Sequence, residues 1–130
     1  MDEKLNLLIV DDDEDLLRQL EFLLEDDFEE ISTASSKKKA LELSSGHIDV
    51  FLVDVRLNET DHLNTEGLEL VKEIRKMNNS AVIIMMSRYN AEKYEELTKE
   101  EAKADGFIRK PFTMDEFIEL VLKIRKGKKC

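Results

Sequence analysis

The stretch Leu7–Asp13, with the sequence LLIVDDD, decides the fold, because a short apolar run ends abruptly on three carboxylates. The same pattern recurs further along the chain. Other short apolar runs end at Asp54, at Ser87 and at Lys110, which Pro111 follows. Segments with the apolar spacing of amphipathic helices separate these runs. Strands that alternate with helices indicate a parallel sheet.

The polar residues at the strand ends are predicted to gather at one edge of this sheet. Parallel strands share the edge at which their carboxyl ends lie, and ligands of open α/β sheets bind in the crevice outside it. Asp11, Asp12 and Asp54 would repel one another there unless a cation intervenes. Mg²⁺ suits this position, because it takes oxygen ligands and commonly uses one or two carboxylates together with phosphate. A carboxylate can also attack phosphorus, while the Ser87 hydroxyl and the Lys110 ammonium are suited to hold phosphoryl oxygens.

The periodicity predicts five strands and five helices in strict alternation. The predicted strands are 5–10, 30–34, 49–54, 81–86 and 106–109. The predicted helices are 14–26, 36–45, 66–77, 91–103 and 113–126. Thr113 and Glu116 have the spacing of a capping box at the start of the last helix.

The composition favours one soluble domain. The 130 residues are predicted to form a single domain, 1–130, with a basic C-terminal tail at 125–130. The 30 acidic and 20 basic residues give a formal charge of -10, which disfavours direct binding to nucleic acid. The single cysteine, Cys130, cannot form an internal disulfide. The start, Met1–Lys4, does not resemble a signal peptide, and no apolar run approaches the length of a membrane span. We therefore expect a cytoplasmic domain without a membrane partner.

The set Asp11-Asp12, Asp54, Ser87 and Lys110-Pro111 resembles the receiver domain of two-component response regulators, over essentially the whole chain. The resemblance implies a flavodoxin-like (βα)5 fold, whose doubly wound parallel sheet has five strands in the order 2-1-3-4-5. It also implies a signalling phosphoacceptor rather than an enzyme, one that catalyses only its own phosphorylation and dephosphorylation. The phosphoryl group would come from the phosphohistidine of a histidine kinase or a phosphotransfer protein.

The resemblance assigns the phosphoacceptor and the metal ligands to four positions. Asp54 matches the phosphoacceptor, which also binds Mg²⁺. Asp12 matches the direct metal ligand, and Asp11 matches the acid that reaches the metal mainly through water. Arg56 matches the position whose backbone carbonyl binds the metal. No binding site for an organic cofactor is implied.

Three further positions match the switch of the family. Ser87 matches the switch hydroxyl, Lys110 the lysine that pairs with the phosphoryl group, and Phe107 the switch aromatic. Movement of Ser87 towards the phosphoryl group would let Phe107 turn inward. The face made by the fourth and fifth predicted helices and the last strand would then change, for a downstream effector or a homodimer. Asp13 has no reserved role in this pattern.

Two departures from the family pattern stand out. A Met-Pro pair is usual shortly after the acceptor, with a glycine soon after. Leu57 and Asn58 stand there instead, and Gly67 comes 13 positions after Asp54 (67 − 54), so that the loop 58–65 is longer than usual. In addition, Arg88 follows the switch hydroxyl, where a small residue is common. We expect these features to affect partner choice and phosphorylation lifetime.

Two other functions compete with the receiver interpretation. A haloacid-dehalogenase-like phosphatase would use Asp11 of an Asp11-x-Asp13 motif as nucleophile, with the strand-end hydroxyl and lysine. Asp15 then stands where Thr or Val is expected, and Asp54 is left without a role. A flavodoxin-like flavin binder would need a loop rich in Ser, Thr and Gly after the first strand, where this chain has three acids.

Overall fold

A computed structural model describes residues 4–44, 46–55, 57, 66–88 and 103–129. The strands are β1 (Asn6–Val10), β2 (Glu30–Ala34), β3 (Val50–Asp54), β4 (Val82–Ser87) and β5 (Gly106–Arg109). The helices are α1 (Glu14–Leu24), α2 (Lys37–Leu43), α3 (Glu66–Met77) and α4 (Met114–Lys129). The last of these corresponds to the fifth predicted helix, because residues 91–102 of the fourth lie outside the described residues.

The five strands form one parallel sheet in the order β2-β1-β3-β4-β5. This confirms the predicted fold class and strand order. The order reverses direction between β1 and β3, and in such sheets the ligand crevice opens at that switch point, beside the carboxyl ends of the strands. Val10 pairs with Val53 across β1 and β3, so that Asp11 and Asp54 follow at the same level.

Two apolar layers cover the sheet, one on each face. Successive strand residues point to opposite faces, so that Phe51 and Val53 enter one layer and Val50 and Leu52 the other. Helices α2 and α3 pack on the first layer, and α1 and α4 pack on the second. Because both faces are covered, β3 and β4 are buried throughout their length, as is typical of parallel sheets.

The helix ends differ from the predicted ones in a few places. Helix α1 ends at Leu24 rather than near residue 26, and α4 continues to Lys129 rather than ending near 126, so that most of the predicted basic tail is helical. The Glu116 backbone N–H donates to the Thr113 hydroxyl at 3.1 Å, in agreement with the predicted cap of α4. Lys103, the predicted last residue of the fourth helix, has φ 62 and lies outside any helix.

Arg75 links three segments at the edge of the sheet opposite the site, where strands β4 and β5 begin. Its guanidinium donates to the carbonyls of Ala81 (2.8 Å) and Lys103 (2.9 and 3.0 Å), and to the Asp105 carboxylate (2.9 Å). The same Asp105 oxygen accepts from the Ile83 backbone N–H at 2.8 Å. This network joins the end of α3 to the starts of β4 and β5, and so fixes the strand pair that carries Ser87 and Phe107.

Candidate phosphoacceptor site

Backbone hydrogen bonds bring the predicted site residues together just beyond the strand ends. The Asp11 N–H donates to the Ala34 carbonyl at 3.1 Å, which extends the pairing of β1 with β2 by one step. The Lys110 N–H donates to the Ser87 carbonyl at 3.0 Å, and this bond extends the pairing of β5 with β4 by one step. These bonds hold the backbone of the site independently of any ligand, because each continues a strand ladder.

Lys110 bridges the two buried carboxylates. Its Nζ lies 2.6 Å from Asp11 Oδ2 and 2.8 Å from Asp54 Oδ2. The side chains of Lys110, Asp11 and Asp54 are only 5%, 0% and 4% exposed. Ion pairs this well buried are little screened by solvent, so that their geometry is tightly held. The predicted pairing lysine therefore lies where an added phosphoryl group on Asp54 would meet it.

The pKa values of Asp11 and Lys110 are both raised, for different reasons. Burial raises the pKa of Asp11, and the nearby ammonium of Lys110 only partly offsets this effect. Burial alone would lower the pKa of Lys110, but the charges of Asp54 and Asp11 outweigh it and raise that pKa. Lys110 is thus held in its charged form, while the charged form of Asp11 is penalised.

Asp11, Asp12 and Asp54 form a cluster of potential metal ligands. One carboxylate oxygen from each lies within 4.8 Å of the others. Two of the three residues are buried and Asp12 is half-buried. An all-oxygen donor set beside the Lys110 ammonium fits a hard divalent cation such as Mg²⁺. Arg56, the predicted carbonyl ligand, lies outside the described residues.

The predicted switch residues lie on β4 and β5. Ser87 is the last residue of β4 and is 2% exposed. Phe107 pairs with Met85 in the sheet and packs, half-buried, against the layer beneath α2 and α3. Arg88 follows Ser87 and is exposed. The structure thus places these two residues on neighbouring strands, with Ser87 at the end of its strand.

Asp13 and Gly67 have structural tasks that the sequence pattern does not assign. The Asp13 carboxylate accepts from the N–H groups of Asp15 (3.1 Å) and Leu16 (3.2 Å) and so caps α1. A Cβ at Gly67 would stand 1.8 Å from the carbonyl oxygen of Asp54, so that only glycine fits against this strand end. An aspartate directly before a helix is a common signal for such a cap, whereas the close approach of Gly67 to Asp54 depends on tertiary packing.

The family model described as the response regulator receiver domain matches residues 7–122. This chain belongs to the receiver domain family. Response regulator SaeR of Staphylococcus aureus is 28% identical over 113 residues, which are 87% of this chain and 47% of SaeR. The chain therefore spans about half the length of the curated relatives it matches.

Solved receiver structures agree with this assignment. A response regulator receiver domain from Clostridium thermocellum is 26% identical, with a TM-score of 0.81 over 96% of this chain and 97% of that one. A CheY-like receiver from Methanospirillum hungatei, 23% identical, shares the fold with a TM-score of 0.82 over 98% of both chains. The receiver family is a signalling family, and its match gives no support to the phosphatase alternative. Among the described helices, none is long and apolar enough to cross a membrane.

Proposed function

We propose that this receiver domain accepts a phosphoryl group on Asp54 from the phosphohistidine of a histidine kinase or a phosphotransfer protein. A carboxylate oxygen of Asp54 forms the new bond to phosphorus. The bond from phosphorus to the histidine nitrogen breaks, and its electron pair leaves on the imidazole. The protein's main contribution is to position the groups and to neutralise charge.

The bridge from Lys110 to Asp54 carries this proposal. A phosphoryl group on Asp54 brings further negative oxygens into a site that already contains the carboxylates of Asp11 and Asp12. Lys110 is buried, charged and 2.8 Å from the acceptor, so that it can pair with those oxygens without entering from solvent. When Lys110 pairs with the phosphoryl oxygens, its ion pair with Asp11 can break.

Asp11, Asp12, Asp54 and the backbone carbonyl of Arg56 are proposed to hold Mg²⁺. The ion supplies positive charge that offsets the charge of the phosphoryl oxygens when it is bound. Before binding, the three carboxylates leave a surplus of negative charge around Lys110, which is one reason for a cation to bind here. Asp11 also anchors the loop, because its Oδ1 accepts from the Asp13 N–H at 2.9 Å.

The output is proposed to be a shift between two conformations. Ser87 moves to donate a hydrogen bond to a phosphoryl oxygen, and Phe107 turns into the space beside it. The face that includes β5 and α4 then differs between the two states and selects a downstream effector or a second copy. The domain catalyses only its own phosphorylation and dephosphorylation, and one domain is proposed to span residues 1–130 in the cytoplasm.

Mapping of the modification tests the proposal. The protein is incubated with Mg²⁺ and acetyl phosphate, and the phosphorylated residue is found by mass spectrometry after reduction with borohydride. We expect one label, on Asp54, and none in Asp54→Asn. Asp13→Asn serves as a matched control, since it removes a nearby carboxylate that caps α1. A label on Asp11 in the wild type would instead favour the phosphatase alternative.

A further inference from the structure

A cavity of about 250 Å³ lies at the edge of the sheet opposite Asp54, where β3 and β4 begin. Its lining comes from the turn before β3, the turn between α3 and β4, and the end of α4. Ile48, Ala81 and Val82 supply a buried apolar part of this lining. We call this space the amino-edge cavity, and the proposed chemistry at Asp54 uses none of its residues.

Hydrogen bonds within the domain hold the polar lining of the amino-edge cavity in place. The Asn78 side chain donates to the Ile48 carbonyl at 3.1 Å and accepts from the Ala81 N–H at 3.1 Å. The Asp49 carboxylate accepts from the Asn6 N–H at 2.9 Å. These bonds need no ligand, so that the cavity is already formed, as small-molecule sites usually are.

The lining of the amino-edge cavity has a local surplus of positive charge. Arg125 and Lys128 stand three positions apart (128 − 125) on α4, and so lie on one side of the helix. Both also make contacts within the domain, and Lys128 Nζ lies 3.0 Å from Asp105. A guanidinium and an ammonium each carry several N–H donors, so that each can serve a second acceptor. Asp49 is the one carboxylate in the described lining, against two cations, in a chain whose formal charge is -10.

A smaller apolar cavity of about 130 Å³ adjoins the first one. Gly46 and Asn78 line both cavities. Phe51, Ile74 and Met77 also line the smaller one, and the first two of these are fully buried, whereas Met77 is 59% exposed. A methionine side chain adapts readily to different apolar ligands. Apolar surface is therefore available next to the cationic lining of the amino-edge cavity.

We propose that the two cavities together bind a small amphiphilic carboxylate, such as a medium-chain fatty acid. Arg125 and Lys128 pair with its carboxylate, and its apolar chain lies in the smaller cavity beside Met77. A singly charged head group matches the surplus of one positive charge, whereas Asp49 would repel a doubly charged phosphate more strongly. The proposal extends beyond the proposed function and does not depend on phosphorylation of Asp54.

Titration with octanoate tests the site in the unphosphorylated protein without Mg²⁺. Backbone amide NMR shifts of Asp49, Asn78 and Val82 should change and saturate, with a dissociation constant on the order of 1 mM for so small a ligand. Acetate has the head group without the chain, and octylammonium has the chain with the opposite charge. Each should bind at these residues at least about tenfold more weakly, because each lacks one of the two interactions.

Substitutions test the head-group pairing and the apolar contact separately. Arg125→Gln and Lys128→Gln should each weaken octanoate binding about threefold, while Lys123→Gln, which neutralises an exposed lysine outside the lining, should not. Met77→Gln should weaken binding of octanoate and leave that of acetate unchanged. Leu122→Gln is its control, because Leu122 is 45% exposed and lines neither cavity. Circular dichroism checks that every variant is folded.

The proposal is overturned if octanoate causes no saturable shifts at the amino-edge cavity, or if its main shifts lie around the exposed Phe22 and Leu23 of α1. Octylammonium that binds as well as octanoate, or wild-type affinity in both Arg125→Gln and Lys128→Gln, overturns the head-group pairing. Wild-type affinity in Met77→Gln overturns the placement of the chain. Since no phosphodonor is present, these results stand whether or not Asp54 proves to be the phosphoacceptor.

Discussion

Gly67 lies directly against the backbone of Asp54, on the first turn of α3. Its N–H donates to the Val55 carbonyl at 2.9 Å, and a Cβ in its place would stand 1.8 Å from the Asp54 carbonyl oxygen. The turn therefore rests on the strand end that holds the proposed phosphoacceptor. This contact is present although 13 positions separate Gly67 from Asp54 (67 − 54).

Gly67→Ala is expected to destabilise the protein and to slow phosphorylation of Asp54. The exchange gains up to about 1 kcal/mol in helix propensity, but displacement of packed backbone costs about 1–3 kcal/mol. We therefore expect a net loss in the free energy of unfolding, measured by urea denaturation, together with a lower rate of labelling by acetyl phosphate. Gly127→Ala is the control, because its Cβ meets no atom within 4 Å, and it should be neutral or stabilising. Equal stability of the two variants would contradict the close contact at Gly67.

The sheet could be predicted from the sequence because three of its strands, β1, β3 and β4, combined two signals. The apolar runs in β1, β3 and β4 are short and continuous, and each ends on a polar residue that starts the next segment. The strand order came from the family resemblance, since periodicity alone does not choose among the orders open to a parallel sheet.

The inward face of α1 was harder to predict from its sequence. Phe22 and Leu23 are 70% and 55% exposed, because the six apolar residues of this helix exceed what one face can bury.

The grouping of three site residues was predictable, and their contacts were not. Asp11, Asp54 and Lys110 could be grouped because parallel strands deliver their ends to one edge. The bridge from Lys110 to both carboxylates depends on side-chain positions that a sequence does not specify. The contact of Gly67 with Asp54 and the Arg75 network were also beyond sequence reasoning, since both join segments that are far apart along the chain.

Asp12→Ala is expected to weaken Mg²⁺ binding by at least about tenfold, because loss even of an outer partner of a metal site commonly costs that much. Asp12 is the least buried of the three clustered carboxylates, so that removal of its side chain should leave the fold intact. Mg²⁺ titration followed by NMR shifts around the site measures the affinity. Asp13→Asn removes the neighbouring charge but keeps a good cap for α1, and it should bind Mg²⁺ nearly as the wild type does. An unchanged Mg²⁺ affinity in Asp12→Ala would show that Asp12 is not a metal ligand.

Lys110→Ala is expected to retain the fold and Mg²⁺ binding but to lose the response to beryllofluoride. The loss of its ammonium leaves the buried carboxylates of Asp11 and Asp54 uncompensated. Breaking a buried ion pair lowers the free energy of unfolding of the metal-free protein by about 3–5 kcal/mol. Added Mg²⁺ should recover part of that stability. NMR signals of Ser87 and Phe107 report the response, with Lys123→Ala as the control for an exposed lysine. A wild-type response in Lys110→Ala would show that Lys110 does not couple Asp54 to the switch.

Asp11→Asn is expected to stabilise the metal-free protein at neutral pH. The pKa of Asp11 is raised by burial, so the folded state favours its neutral form. A carboxyl group with a raised pKa contributes its full stability below the unfolded value of 3.8, and that contribution is lost as the pH rises through the folded pKa. The advantage of the variant over the wild type should therefore shrink as the pH falls from 7 towards 4. Urea denaturation at several pH values measures the difference, and a gap that widens on acidification would contradict a raised pKa for Asp11.

Arg88→Ala is expected to shorten the lifetime of the phosphorylated state. Arg88 is exposed and follows the proposed switch hydroxyl, so that its guanidinium can reach the mouth of the site without a burial cost. A guanidinium holds phosphoryl oxygens with two directed hydrogen bonds, and it also occupies the path of an attacking water. Both effects slow hydrolysis, and their loss should speed it.

The decay of the phosphorylated form, measured after removal of the phosphodonor, distinguishes this role from that of an ordinary surface arginine. Arg88→Lys should give an intermediate rate, since a lysine keeps the charge but lacks the paired donors. Arg109→Ala removes another exposed arginine next to the site lysine, and it should leave the decay unchanged. Surface arginines often contribute little to stability, so that an altered decay without a change in unfolding would identify a direct action on the phosphoryl group. Equal decay rates in the wild type and Arg88→Ala would place the guanidinium in solvent, away from the chemistry.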